Sequence, residues 1–389
     1  MSEKLNILFL SSWYPNKVTP KNGNFIQKHA DAVSAHCNVF ALHIISRKQT
    51  EEFIVETQQF NDVLETIVYY KKVTSTAPIL SQLKKLAIRR KAHKLGLKNI
   101  LKTAKTIDFV HLNICFPAGL FALYLKKRYN IPYIISENWT VLLDSDPINF
   151  TPIEQHFVNK INRNAAMLCP VSEDLKKALQ KIAPNQVYSI IPNVVNTQIF
   201  QPNLPTNKIE KVKILHLSNL KDEHKNITGI INVIKKLSDS RTDFELTIAG
   251  DGETEKYQRQ MLELKIPKGV ILFEGKKTTT EVAELMSRHD AFLLFSNYEN
   301  LPCVVVECLT MGLPVIGTNV GGVSEMINDN NGIVIESKDE KALLEKLNVL
   351  IDNINNYDNA KIAENAKAIY SYEAVGKQFY DIYKRILAV

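Results

Sequence analysis

Short apolar runs rich in β-branched residues alternate with longer helical patterns along this chain, and the alternation starts twice. In the first half the runs are Asn6–Leu10, Val39–Ile45, Phe109–Asn113, Tyr133–Ser136, Met167–Val171 and Tyr188–Pro192. In the second half they are Lys213–Leu217, Glu245–Ala249, Val270–Phe273, Ala291–Phe295, Pro314–Gly317 and Gly332–Ile335. Strands that alternate with helices form parallel sheets, because a parallel pair needs a crossover long enough to hold a helix. Several runs are apolar on both faces, as strands covered by helices on both sides must be. The restart near Val212 follows a polar, proline-containing segment, Gln201–Asn207, which reads as a linker within a hinge at 196–208. The chain has 389 residues, beyond the size at which a single core stops growing. The expected architecture is therefore α/β, with two doubly wound domains at 1–195 and 196–371. An amphipathic helix over Tyr372–Ile386, within a final segment 372–389, closes the chain. Two such domains facing each other would place a ligand cleft at the carboxyl ends of their strands.

Composition removes several classes. No run of about 18 apolar residues exists, so no membrane-spanning helix is expected. The opening Met1-Ser2-Glu3-Lys4 passes directly into a strand-like run, without the charged head and cleavage site of a secretory signal, so a cytoplasmic location is expected. The five cysteines, Cys37, Cys115, Cys169, Cys303 and Cys308, are far apart and lack metal-ligand spacing, so they read as buried thiols. Charge is uneven. Residues 1–200 carry 25 Lys/Arg against 14 Asp/Glu, and residues 201–389 carry 23 against 27. The first half is built to meet anions.

The segment Ser296–Glu307 concentrates chemistry. A strand ends, a loop carries Glu299, a helix starts near Pro302, and Glu307 follows about one turn in. Free N–H groups at a helix start can hold a pyrophosphate, and a carboxylate beside them can accept hydrogen bonds from sugar or ribose hydroxyls. The bland alternative is one glutamate favoured by the helix dipole and a second that is merely solvated.

The run E-N-L-P-x-V-x-x-E, followed by G-x-P-V-I-G-T-x-x-G-G-x-x-E, resembles the E-x7-E signature of the retaining glycosyltransferases of family 4, which have the GT-B fold of two Rossmann-like domains. Trp13-Tyr14-Pro15, Gly23-Asn24-Phe25, Asp108–His111, Pro170–Glu173, Ile191-Pro192-Asn193, Ala249–Gly252 and Gly321–Glu325 are similar to the family's other landmarks. The resemblance implies a nucleotide-sugar co-substrate, no cofactor and no metal. It places Glu307 on the donor's ribose, Glu299 on the transferred sugar, and backbone N–H groups near Asn300, Leu301 and Cys303 on the diphosphate and sugar. It places Lys225 on the leaving group. The family's arginine position holds Asn219 here, and Lys221 is a spatial substitute. His111 is implied as a residue touching sugar or acceptor, although a histidine on a strand is also a common core residue. Glu137 replaces a residue that is often histidine; binding the acceptor or assisting proton transfer is one reading, and a cap or salt-bridge role is the favoured one. Gly23 is implied to let the backbone approach the donor phosphate or acceptor; a turn glycine beside a helix cap is the other reading. Retention with the diphosphate oxygen taking the acceptor's proton follows from the resemblance, and no side-chain nucleophile is expected.

From Ile67 to Ile107 there are eleven Lys/Arg and no Asp/Glu. With Leu97, Ile100, Leu101 and Ala104 at helical spacing, residues 84–105 read as a basic amphipathic helix for an anionic membrane surface, placing the protein peripherally on the inner face of the cytoplasmic membrane. Aromatic–basic interleaving is absent, so nucleic acid is not an expected partner. A glycan or polyprenyl-linked acceptor suits a positive first domain. The alternatives are a non-catalytic sugar-nucleotide-binding protein, or an epimerase or phosphorylase of the same fold.

Overall fold

The computed structural model describes residues 4–72, 78–139, 150–204 and 208–388. The chain divides into two units, Met1–Val194 with Tyr372–Val389, and Val195–Ser371. Part of the expected linker, residues 205–207, lies outside the described residues.

Unit 1 holds a seven-stranded sheet of β1 (Asn6–Ser11), β2 (Asn38–Arg47), β3 (Phe53–Phe60), β4 (Val63–Lys71), β5 (Phe109–Asn113), β6 (Tyr133–Glu137) and β7 (Met167–Pro170), in the order β3-β4-β2-β1-β5-β6-β7. Alternate residues of the central strands enter two different cores. Leu8, Leu10, Val110 and Leu112 face one, and Ile7, Phe9 and Phe109 face the other. This explains why the central runs are apolar throughout. Unit 2 holds β8 (Val212–Ser218), β9 (Phe244–Gly250), β10 (Ile271–Glu274), β11 (Ala291–Leu294), β12 (Val315–Thr318) and β13 (Gly332–Ile335), all parallel, in the order β10-β9-β8-β11-β12-β13.

Two expectations need correction. The first sheet is not wholly parallel, because β3 pairs antiparallel with β4 through a two-residue turn at Asn61-Asp62, where Asn61 has φ 47°. Asparagine tolerates that left-handed turn. β3 is a half-exposed edge strand of polar residues, Glu56, Thr57, Gln58 and Gln59, so it lacks the apolar run that marks the central strands. The run Tyr188–Pro192 lies along β7 through a bridge, Leu168 to Tyr188, and the Ile191 N–H to Pro170 O bond, without forming a strand.

The final helix, Tyr372–Leu387, lies in unit 1. Its buried stripe of Val375, Phe379, Ile382 and Tyr383 joins the core on the Ile7/Phe9 side. Gly376 lies so close to the helix Asn24–Ser34 that an added Cβ would stand 2.2 Å from the carbonyl oxygen of Ala32. No helix among the described residues is long and apolar enough to cross a membrane.

Each sheet has one place where strand order reverses, between β1 and β5 in unit 1 and between β8 and β11 in unit 2. Loops leaving adjacent strands diverge there and leave a crevice at the carboxyl edge.

Burial also sets how the protein meets acid. His29, His43 and His93 of unit 1 are each at most 5% exposed and bond to backbone carbonyls. Burial pulls them down to about 4, about 4 and about 3. Burial also holds His111 well below the usual histidine range. In unit 2, burial brings His216 to about 4. Unfolding frees such rings to bind protons near 6.5, so stability falls as pH drops from about 6.5 toward about 4, by on the order of 3 kcal/mol per ring. Unit 1 should therefore lose its protection in hydrogen exchange at a higher pH than unit 2. His43→Phe should move the unit 1 midpoint downward; an unchanged midpoint contradicts the assignment.

Candidate active site

The reversal point in unit 2 gathers chemistry from three strand ends. β8 leads through Asn219 and Leu220 into a four-residue helix, Asp222–Lys225. The Asp222 carboxylate accepts from the Thr228 N–H at 2.8 Å and from its hydroxyl at 2.7 Å. Asn226, left-handed at φ 51°, accepts from the N–H of Gly229 and starts the next helix. These bonds fix Lys225 at the end of the short helix.

β11 leads to Ser296 and then to Glu299. The Glu299 side chain is only 9% exposed, and one carboxylate oxygen is ion-paired with the ammonium of Lys225, itself 15% exposed. The Ser296 hydroxyl donates to the same oxygen at 2.7 Å. The two loops are joined at the backbone as well: Asn297 N–H donates to His224 O at 2.8 Å, and its side chain donates to Glu223 O at 3.2 Å. The third contributor follows β12. Gly321, at φ 54°, lies so close that an added Cβ would stand 2.3 Å from Glu299 O and 2.8 Å from Asn300 O. Gly322 N–H donates to Asn300 O at 2.7 Å, and Thr318 Oγ1 donates to Ser296 O at 2.7 Å.

Beneath the loops, His216 on β8 donates from Nδ1 to Leu293 O at 2.9 Å, and Nε2 faces Ser218 Oγ at 2.9 Å. Burial and then the charge of Lys225 keep that ring neutral, so Nε2 accepts from the serine hydroxyl. Ser218 in turn accepts from Leu220 N–H and shapes the turn that starts the lysine loop.

Glu307 lies half-exposed in the helix Cys303–Thr310, for which Pro302 is the N-cap. Asn300 and Cys303 are half-buried and Leu301 is 6% exposed, so this short stretch brings the expected donor-side residues together. Asn219 and Lys221 are exposed, with Lys221 N–H donating to Asn219 Oδ1 at 3.3 Å. Sequence reading missed Ser296, His216, Ser218 and the contact made by Gly321. The paired glycines at 321–322 are the one visible signal for that contact; a serine three residues before a glutamate carries none.

The structure places three candidate residues of unit 1, and for His111 and Gly23 the functional reading changes. His111 is fully buried, with Nδ1 2.5 Å from the Tyr383 hydroxyl and Nε2 2.7 Å from the Ser136 hydroxyl. Both nitrogens are occupied inside the core, so this geometry leaves it nothing with which to touch a sugar. Glu137 is a cap: it accepts from the N–H groups of Cys115, Asn138 and Trp139 at 2.9, 3.1 and 2.9 Å. At Gly23, φ 74°, an added Cβ would stand 2.8 Å from the Trp13 carbonyl carbon, so the close backbone approach there is to the chain itself.

The profile of group 1 glycosyl transferases matches residues 198–368, and that of glycosyltransferase family 4 matches residues 41–199. The chain belongs to the family 4 type of glycosyltransferases. A glycosyltransferase of Bacillus subtilis named for teichuronic acid biosynthesis is 23% identical, over 96% of this chain and 95% of that protein. The GPI3 subunit of the phosphatidylinositol N-acetylglucosaminyltransferase of Saccharomyces cerevisiae is 25% identical, over 64% of this chain and 58% of that protein. Among solved structures, Anabaena HepE in complex with UDP superposes with a TM-score of 0.69 at 15% identity, covering 98% of this chain and 100% of that one. That superposition establishes the GT-B fold of two Rossmann-like domains.

The Lys225–Glu299 pair in this glycosyltransferase is nearly buried, so removing one partner strands a charge. Lys225→Met should destabilise unit 2 by about 3 kcal/mol, and adding Glu299→Gln should recover most of that loss. Urea unfolding of the two single variants and the double variant reads this; simple additivity would refute the pairing.

Proposed function

We propose that this glycosyltransferase moves a sugar from a nucleotide-sugar donor to a glycan or lipid-linked acceptor in surface polysaccharide or glycolipid synthesis, with retention at the anomeric carbon and without a metal. The observation that carries the reading is the meeting of Lys225, Glu299 and Ser296 at the strand-order reversal of unit 2. Two features of the relatives support it: HepE was captured with UDP, and the two curated relatives are named for polysaccharide and phosphatidylinositol glycosylation.

In this reading Glu299 and Lys225 neutralise one another before the donor arrives. With the donor in place, the carboxylate accepts hydrogen bonds from the sugar hydroxyls and the ammonium faces the leaving diphosphate. Fixed positive charge at developing negative charge lowers the barrier, and that is the part a divalent ion plays in other transferases. Glu307 accepts from the ribose hydroxyls, and the first amides near Asn300, Leu301 and Cys303 face the diphosphate. Lys221, exposed beside Asn219, supplies the second cation in place of the family's arginine. The diphosphate oxygen takes the acceptor's proton as the new bond forms on the face the nucleotide leaves. His111 acts at one remove: bonded to Ser136 and Tyr383, it holds the ends of β5 and β6 in register.

Glu299→Ala and Lys225→Ala, if folded, should each lower kcat by at least about a hundredfold, on the scale of removing one preorganised charge partner. Nuclear magnetic resonance of the wild-type product should show the donor's anomeric configuration. Inversion defeats the retaining reading, and undiminished turnover in both variants defeats the site.

The expected membrane contact takes a different form. In the helix Pro78–Ala104 the residues Ala92, Gly96, Ile100 and Ala104 are buried in unit 1, so the apolar stripe is spent on the protein's own core. What faces outward is largely cationic, Arg90, Lys91, Lys94, Lys98 and Lys102, with Leu86 and Leu101 exposed among them. The membrane reading therefore rests on charge, at roughly 1 kcal/mol per cation near an anionic surface, and with it goes a peripheral position on the cytoplasmic face. Flotation with anionic liposomes should show binding that is lost by about 0.5 M salt. Binding that survives high salt, or no binding at all, contradicts it.

A further inference from the structure

The lysine loop of unit 2 starts on a strained residue. Leu220 has φ 52°, in the left-handed region, although it is a leucine and only 4% exposed. Strain of this kind persists only where the surroundings over-determine the backbone, and it collects at sites whose function depends on close placement.

Four contacts hold the turn. Ser218 Oγ accepts from the Leu220 N–H at 3.1 Å. The hydroxyl of Tyr257, a fully buried residue, donates to Leu220 O at 2.8 Å. The Lys221 N–H donates to Asn219 Oδ1 at 3.3 Å. The loop after β9 lies against the same residues, since an added Cβ on Gly252 would stand 2.8 Å from Leu220 Cβ and 3.0 Å from Asn219 O. Both backbone polar groups of the strained residue are thus bonded to side chains. Directly after it, Lys221 O accepts from the N–H groups of His224 and Lys225 at 3.1 and 2.8 Å. The turn therefore sets where the short helix begins and where Lys225 comes to lie.

Ser218 can brace Leu220 in this way because its own proton is used elsewhere. Leu293 O can only accept, so His216 Nδ1 carries the hydrogen of the uncharged ring, and Nε2 accepts from the Ser218 hydroxyl at 2.9 Å. Every polarity in the series from Leu293 O through His216 and Ser218 to the Leu220 N–H is fixed by its neighbour. Leu293 lies on β11, the strand that leads to Ser296 and Glu299. The series ties the turn before Lys225 to the strand that carries its ion-pair partner. His216 is fully buried, so it acts on a bound donor only through these partners.

We propose that His216, Ser218 and Tyr257 are positioning residues for the transfer step: they hold Leu220 left-handed and so set Lys225, and Lys221 with it, against the leaving diphosphate. The inference rests on the transferase reading for what the lysines act on.

Two substitutions at one position separate positioning from packing. In His216→Gln the amide oxygen reaches as far from the backbone as Nε2 and still accepts from Ser218. His216→Asn keeps only a donor to Leu293 O. Hydrolysis of UDP-glucose, GDP-mannose and ADP-glucose is measured, and the variants are compared on the donor that the wild type cleaves fastest, well below each unfolding midpoint. His216→Gln should keep kcat within about threefold of wild type, and His216→Asn should lose about tenfold, the share of one buried hydrogen bond. The donor's KM should change by less than about threefold in both, since the lysines act as charge develops. Ser218→Ala should lose at least as much as His216→Asn, and Ser218→Thr, which keeps the hydroxyl, should recover most of it. Equal activity of His216→Asn and His216→Gln, or a loss confined to KM, overturns the proposal. A second measurement needs no donor. Because the turn seats Lys225 against Glu299, the urea midpoints of Ser218→Ala and Lys225→Met should not add, and the double variant should lose less than the sum of the two. Additive losses overturn the proposal. Absence of hydrolysis by the wild type counts against the transferase reading alone, because coupled midpoints still support the seating of Lys225.

Discussion

One carboxylate oxygen of Glu299 organises unit 2. It is held by the Lys225 ammonium from the loop after β8 and by the Ser296 hydroxyl from the end of β11. The loop after β12 lies on the backbone of the same residue, which is possible only because Gly321 has no side chain to collide with Glu299 O. Three neighbouring strands thus deliver three groups to one point. A parallel sheet with a reversal in strand order does this naturally, because the loops leaving β8 and β11 turn away from each other and expose their ends. The pair is nearly buried, so its attraction is strong, but so is the penalty for losing either half. That makes the site stiff. A stiff pair of opposite charges suits a reaction in which a diphosphate leaves, since little reorganisation is needed as negative charge develops.

Neutral histidines carry the opposite design. His216 beneath the site, and His29, His43, His93 and His111 in unit 1, are buried where a proton is unwelcome. Each serves as a rigid polar bracket. His43 holds Ser11 O at the end of β1, and His111 spans Ser136 and Tyr383. The bonds to backbone carbonyls would survive protonation, since a charged ring still donates; it is burial that excludes the proton, and only a nitrogen that accepts from a hydroxyl, as one of His111 does, would lose its partner.

The alternation of apolar runs makes the central strands legible in the sequence, because burial on both faces demands apolar residues at every position. The edge strand β3 is hidden for the same reason: half in water, it keeps polar residues and loses the pattern. Around the site, Glu299, Glu307 and Lys225 stand out by spacing and resemblance. Ser296 and His216 do not, since their importance comes from contacts between segments distant in sequence, such as His216 with Leu293. Gly23 shows the reverse. Its need for a left-handed turn is legible, but whether the crowding partner is a ligand or the protein is not; in the structure it is the backbone of Trp13 and Tyr14. His111 shows the same ambiguity, because a strand histidine reads alike whether it faces a ligand or, as here, a tyrosine arriving 272 residues later in the chain.

The charge division between the halves gains meaning from where the cations stand. Unit 2 pairs many of its charges internally, as with Arg241 between Asp243 and Asp352. In unit 1, Arg90, Lys127 and Lys160 have no carboxylate among the described residues, and Arg89 is held by a tyrosine hydroxyl. A protein that only needed solubility would interleave both signs across its surface. Cations without a carboxylate partner raise the local potential at one place, and they do so without spending that charge on the fold. The same helix that buries Ala92, Gly96 and Ile100 in the core also presents Arg90, Lys94 and Lys98 outward. Its position is fixed by packing, so its charge is free to act on whatever anion approaches.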